Sequence, residues 1–259
     1  ALIISDLNME SQTVYPNKVA LITGAGKRMG RYIALECADS GFDIIVHYNT
    51  ASKDDMIKTV DAVTSKGREA IPFKADLSKP EEIYRIFRYI NSRFKRLDLM
   101  INSAGIFEKI DFFDITSEFI DRFINTNLKS TMICSVEAAR IMETMNTNEP
   151  MRIINIASLG AIENWTGYIP YSVSKAGVIK FTKLAAKRLA PKILVNAIAP
   201  GTIVIDDDEN KTVDYSLEKN YPMKRFGTTK DITSLIRFLI TQNKYITGHT
   251  FVVDGGKIL

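Results

Sequence analysis

Val19-Ala-Leu-Ile-Thr-Gly-Ala-Gly-Lys-Arg-Met-Gly30 decides the fold. The four residues from Val19 to Ile22 form a short, bounded apolar run, the mark of a buried strand. A glycine-rich turn follows, and helical periodicity runs from Arg31 to Ser40. Glycines at such a turn let a pyrophosphate approach backbone N–H groups at a helix N-terminus. They stand at 24, 26 and 30, whereas the common dinucleotide fingerprint wants the third at position 29, held here by Met29.

The same alternation continues along the chain. Apolar runs recur at Asp43–His47, Ala70–Phe73, Leu97–Ile101, Arg152–Ile156, Leu194–Ile198 and Thr250–Val253. Helical patterns separate them at Lys53–Lys66, Pro80–Phe94, Thr116–Met145, Tyr171–Leu189 and Thr229–Gln242. This predicts an α/β fold, a doubly wound seven-stranded parallel sheet with helices on both faces. Ligands of such sheets bind outside the carboxyl ends of the strands. A polar extension is expected over residues 1–17, with one domain from 18 to 259.

Composition narrows the class. Of the 259 residues, 46% are hydrophobic and 25% charged, which excludes a disordered chain. Two cysteines, Cys37 and Cys134, exclude a disulfide scaffold and read as small buried hydrophobes. No apolar run approaches the ~20 residues of a membrane span, and Leu2-Ile3-Ile4 is too short for a signal-peptide core. The net charge of +4 comes from Lys and Arg scattered among acids, so a nucleic-acid surface is not expected. His47 and His249 lack a second ligand at metal spacing, so no metal is expected. The expectation is a cytoplasmic enzyme acting on a small molecule, without nucleic-acid or membrane partners.

The second strand ends His47-Tyr48-Asn49-Thr50, with no acid to grip ribose hydroxyls. The first acids downstream are Asp54 and Asp55. Lys27 and Arg28 in the glycine turn offer cations, and Asn49, Thr50 and Ser52 offer donors. Cations attract a 2′-phosphate where a carboxylate repels it, so NADP(H) is expected over NAD(H).

Ser158 ends the fifth strand, and Tyr171-Ser-Val-Ser-Lys175 follows 13 residues later. Four residues apart on a helix, Tyr171 and Lys175 share a face. A free phenol is a sluggish acid at neutral pH, and an adjacent ammonium brings it nearer its working range. Ser158 can hydrogen-bond the oxygen on which charge develops.

Together these motifs resemble the short-chain dehydrogenase/reductase family, from about Lys18 to the C-terminus. Thr23, Gly24 and Gly30 fit its Thr-Gly-x-x-x-Gly-x-Gly turn. Arg28 replaces the middle glycine, as in the pteridine reductase branch. The resemblance implies that Asp76-Leu77 faces the adenine and that Asn102-Ser103-Ala104-Gly105 lies beneath the cofactor. It implies that Asn127 holds a water in a proton relay and that Pro200-Gly201-Thr202 meets the nicotinamide carboxamide. Tyr171 would be the proton donor, and Lys175 would lower its pKa and bind the nicotinamide ribose. The turn glycines near the C-terminus, in Thr247-Gly248 and Val253-Asp-Gly-Gly256, match the family's usual ending. A homotetramer or homodimer is implied, through the helices bearing Asn127 and Tyr171.

Substrate identity stays open at this level. Ser158 is what carbonyl and 3-oxoacyl reductases carry, whereas pterin reducers usually have Asp there. Pterin reducers also place a stacking Phe directly after the fourth-strand motif, and here Ile106 precedes Phe107. The reading is an NADPH-dependent carbonyl reductase, with pteridine or 3-oxoacyl-acyl-carrier-protein reduction as alternatives. An NADP(H)-binding sensor on the same fold is the non-enzymatic alternative. Trp165 is expected to line the pocket. A substrate loop is expected over about 203–223, its acids Asp206 to Glu209 facing water in a mobile lid.

Overall fold

A computed structural model describes residues 15–205 and 214–259. Seven parallel strands form one sheet in the order β3-β2-β1-β4-β5-β6-β9. They are β1 (Lys18–Ile22), β2 (Phe42–Tyr48), β3 (Ala70–Lys74), β4 (Leu99–Asn102), β5 (Met151–Ile156), β6 (Ile193–Pro200) and β9 (Thr250–Val253). The helices are α1 (Arg28–Asp39), α2 (Lys53–Thr64), α3 (Pro80–Arg93), α4 (Ser117–Phe123), α5 (Ser130–Thr144), α6 (Ile169–Leu189) and α7 (Thr229–Thr241).

Strand residues alternate between two cores, as the period of two requires. Val19 and Leu21 pack with Ile83, Ile86 and Ile90 of α3 and with Met142 of α5. Ala20 and Ile22 pack on the other face with Ile33 and Cys37 of α1 and with Ile232 and Ile236 of α7. Cys37 and Cys134 are fully buried, and burial pushes both thiols well above their ordinary range. The topology reverses between β1 and β4, which opens a crevice at their carboxyl ends.

Three regions differ from the sequence expectation. The helix expected over 116–145 is interrupted by a π-helical turn, Ile124–Lys129, between α4 and α5. Hydroxyls serve two carbonyls of this turn: Ser130 Oγ donates to the Thr126 oxygen and Thr131 Oγ1 to the Asn127 oxygen, at 2.5 and 2.9 Å. The expected loop 203–223 contains β7 (Ile203–Val204), paired in parallel with β8 (Gly227–Thr228). Asp206 to Glu209 lie outside the described residues. The end of the expected extension is fastened down: the Tyr15 hydroxyl lies 2.7 Å from carboxylate oxygens of both Asp43 and Glu69, which share its one proton, and its ring meets that of Phe94 edge-on.

Candidate active site

The glycine turn is braced from below. Gly24 takes φ +73°, which favours glycine, and its N–H donates to His47 Nδ1 at 3.0 Å. The other ring nitrogen of His47 meets the Ala75 oxygen at 3.0 Å. Accepting at Nδ1 fixes the tautomer with its proton on Nε2. His47 is 2% exposed, and burial pulls its pKa down to about 4. It borders the groove, but both nitrogens are engaged by protein. A Cβ on Gly30 would fall 2.0 Å from the Gly24 oxygen, so this glycine lets α1 pack on the turn.

Arg28 occupies the position of the middle glycine with φ +53°. A side chain in this left-handed region costs about 1–2 kcal/mol. Arg28 and Lys27 line a groove of about 270 Å³ with Tyr48, Asn49 and Thr50. Met29, Asp76, Leu77, Ser103, Ala104 and Gly105 also border it. Lys27, the N-cap of α1, makes no side-chain cap hydrogen bond to the first turn.

The β2–α2 loop carries acids, but they are restrained. Ser52 caps α2: its Oγ accepts from the Asp55 N–H at 3.0 Å and donates to the Asp55 carboxylate at 2.9 Å. Ser52 is therefore spent on the helix. Arg31 pairs with Asp55 at 3.1 Å and also donates to Thr59, which donates to the Gly26 oxygen. The Ser52 hydrogen bond and the Arg31 charge hold the Asp55 carboxyl below its usual range, against desolvation.

At the switch point Thr23 ties β1 to β4. Its Oγ1 accepts from the N–H groups of Ser103 and Ala104, both at 3.0 Å. Asn102 turns away from the groove. Its amide donates to Ser135 Oγ and Asn155 Oδ1, at 3.0 and 2.8 Å inside the core. Of the segment expected beneath the cofactor, Ser103, Ala104 and Gly105 border the groove, whereas the 4%-exposed Asn102 amide finds its partners in the core. Pro200, Gly201 and Thr202 sit at the carboxyl end of β6 but do not border the 270 Å³ groove. The Gly201 N–H donates to the Val253 oxygen at 2.9 Å, and Thr202 Oγ1 meets the Tyr221 hydroxyl at 2.8 Å.

Ser158, Tyr171, Lys175 and Asn127 come together beside Gly105. A Cβ on Gly105 would stand 3.1 Å from Asn127 Oδ1 and 3.4 Å from Lys175 Nζ. Ser158 Oγ accepts from the Gly160 N–H at 3.1 Å, which leaves its own proton free to donate. Lys175 is 5% exposed and donates to the Ile156 oxygen at 2.7 Å; burial pulls its pKa down to about 8. The Tyr171 phenol is raised by burial, with Ser158 pulling it partly back. Burial is thus the larger influence on the phenol, opposite in direction to the lowering expected from the Lys175 ammonium. A raised phenol is protonated at neutral pH, the state a proton donor needs.

The sequence reading missed four contributors, Ile106, Ser174, Thr126 and Ile205. Ile106 is clamped by Asn127, whose Oδ1 accepts from the Ile106 N–H at 2.8 Å and whose Nδ2 donates to its oxygen at 3.1 Å. Ser174 accepts from Asn127 Nδ2 at 3.1 Å and donates to the Tyr171 oxygen at 2.6 Å. The Asn127 side chain is thus engaged by protein, and its main-chain oxygen by Thr131. Thr126 and Ile205 border the groove. Only Ser174 carried a signal, a small polar residue between Tyr171 and Lys175 on one helix.

The architecture and its crevice define a nucleotide-binding α/β protein with a serine–tyrosine–lysine centre. The model of a family described as enoyl-(acyl carrier protein) reductase matches residues 24–257. A 3-oxoacyl-[acyl-carrier-protein] reductase of Staphylococcus epidermidis is 38% identical over 248 residues, 93% of this chain and 98% of that one. An acetoin dehydrogenase from Enterobacter cloacae superposes with a TM-score of 0.84 at 32% identity, covering 94% of this chain and 97% of that one. A blue fluorescent protein from a metagenomic library, solved in complex with NADPH, has a TM-score of 0.84 at 28% identity, over 93% and 98% of the two chains. The chain belongs to the short-chain dehydrogenase/reductase family of oxidoreductases, which use nicotinamide cofactors. Among the described residues no helix is long and apolar enough to cross a membrane, and no group of three or more His, Cys, Asp or Glu could hold a metal ion.

Proposed function

We propose that the protein reduces a small-molecule carbonyl with NADPH. The observation that carries this reading is the meeting of Ser158, Tyr171 and Lys175 beside a groove bordered by Gly105, Lys27 and Arg28. The groove suits a dinucleotide: the α1 N-terminus lacks a side-chain cap, and Gly24 lies against Ala104, with an added Cβ only 3.0 Å from the Ala104 Cα. A 2′-phosphate is favoured because the cations Arg28 and Lys27 border the groove, while the Asp55 carboxylate of the following helix is neutralised by Arg31.

When bound, the cofactor supplies a hydride to the carbonyl carbon. Ser158 donates a hydrogen bond to the carbonyl oxygen, and Tyr171 gives that oxygen its phenolic proton. Lys175, still largely charged at neutral pH, offers further N–H donors to the cofactor ribose. Asn127 and Ser174 hold Ile106 and the Tyr171 turn in register. The C–O double bond thus gains a hydride at carbon and a proton at oxygen.

The reductase of Staphylococcus epidermidis favours a second reading, reduction of a 3-oxoacyl thioester on the acyl carrier protein. The assembly proposed is a homotetramer or homodimer through α5 and α6, supported by exposed Met132, Val136, Val173 and Leu184. A cytoplasmic location accords with an NADPH requirement.

NADPH consumption with a panel of carbonyls, quinones and dihydrobiopterin tests the reading. Tyr171→Phe should fold and bind cofactor while losing most turnover, by a factor of about 10² or more. An unaltered kcat in that variant refutes Tyr171 as the donor.

A further inference from the structure

The loops after β4 and β5 gather three aromatic rings beside Tyr171. Phe107 lies flat on Tyr168, with ring centres 4.5 Å apart and planes 5° apart. It meets Tyr171 edge-on at 4.8 Å. Trp165 closes the far side, 6.4 Å from Phe107 and 6.0 Å from Tyr168.

This wall is held in place. The Trp165 indole N–H donates to one oxygen of Glu163 at 2.7 Å, and the other oxygen meets Lys257 Nζ at 3.4 Å. The indole lies on Gly160, where an added Cβ would come within 2.6 Å of it. A hydrogen bond, an ion pair and a glycine floor thus fix one ring. An open cavity of about 1000 Å³ adjoins the wall and is bordered by Phe107, Phe112, Trp165 and Tyr168. Phe107 remains 53% exposed despite its stack on Tyr168. An exposed ring beside the reacting phenol offers its surface to a ligand.

Aromatic rings attract one another through offset and edge-on contacts, beyond the area they bury. A flexible aliphatic chain gains only the area. We infer that this site selects flat, ring-conjugated carbonyl compounds, held against Phe107 and Trp165, and that Glu163 sets this preference by positioning Trp165. The inference rests on Tyr171 being the proton donor.

The test compares kcat/KM with NADPH for two flat probes, 9,10-phenanthrenequinone and isatin, and two aliphatic ones, 2,3-butanedione and ethyl acetoacetate. The wild type should favour the flat pair. Trp165→Ala should cut the flat-to-aliphatic ratio by about tenfold, mainly through KM. Glu163→Ala should cut it severalfold, and Glu163→Gln, which keeps an acceptor for the indole, should restore most of it. Trp165→Leu serves if the alanine variant does not fold. A wild type that prefers the aliphatic pair, or a ratio unmoved in the Trp165 and Glu163→Ala variants, overturns the inference. Tyr171-dependent turnover of the aliphatic pair alone would leave the proposed function standing and remove only this preference. Failure of every probe to oxidise NADPH would remove both.

Discussion

Replacing Arg28 by glycine separates what the residue does for folding from what it does for the cofactor. The folded backbone at Arg28 has φ +53°, and relief of that conformation is worth about 1–2 kcal/mol. Glycine also loosens the unfolded chain, which takes back about 0.5–1 kcal/mol. The variant should therefore be as stable as the wild type or more stable by about 1 kcal/mol, a rise of up to about 3 °C in Tm. Binding moves the other way. A guanidinium–phosphate hydrogen bond contributes about 2 kcal/mol, so its loss should weaken NADPH about 30-fold. NADH lacks the 2′-phosphate and should keep its Kd within about twofold. Fluorescence titration of both cofactors, with a thermal melt of each protein, reads all four quantities. Adding salt should weaken NADPH binding to the wild type more than to the variant. Equal loss for NADPH and NADH, or an unchanged ratio of their Kd values, would refute the role given to Arg28. A Tm several degrees lower would show that the turn needs the side chain for packing.

Two pH predictions follow from buried groups. Lys175 has a pKa of about 8, so reductive kcat should fall as pH rises through that value and its ammonium is lost. Between pH 8 and the unfolded lysine value near 10.4 the unfolded state binds more protons, so folding stability should rise there. A Lys175→Met variant should lack that rise, which urea titrations at pH 7 and 9.5 can check. His47 shows the acid-side counterpart. Its folded pKa of about 4 lies below the unfolded value near 6.5, so the neutral ring contributes stability above pH 6.5 that is lost as pH falls towards 4. The loss should amount to about 3 kcal/mol and loosen the glycine turn, so cofactor affinity should fall over the same window. Acid titrations of wild type and His47→Gln compare the two, and an equal slope in both would rule His47 out as the source.

The sequence by itself determined the architecture. Seven short apolar runs separated by helical periods permit little else than a parallel sheet covered on both faces, because each run needs burial on both sides. It also determined the chemistry-bearing residues, since Ser158 just after β5 and the four-residue step from Tyr171 to Lys175 along α6 are local facts. Only the tertiary structure decided how side chains at those positions are used. Asn102 stands beside groove residues in the chain, yet its side chain points into the core, because successive residues at a strand end face opposite ways. His47 borders the groove as expected, and only the fold shows that it also braces the turn, since its partners, Gly24 and Ala75, lie 23 and 28 residues away. The direction of the Tyr171 shift depends on burial, a property of the packed molecule that no spacing encodes. The aromatic wall has the same origin: Phe107 and Trp165 are 58 residues apart, and only the meeting of two loops makes them one surface.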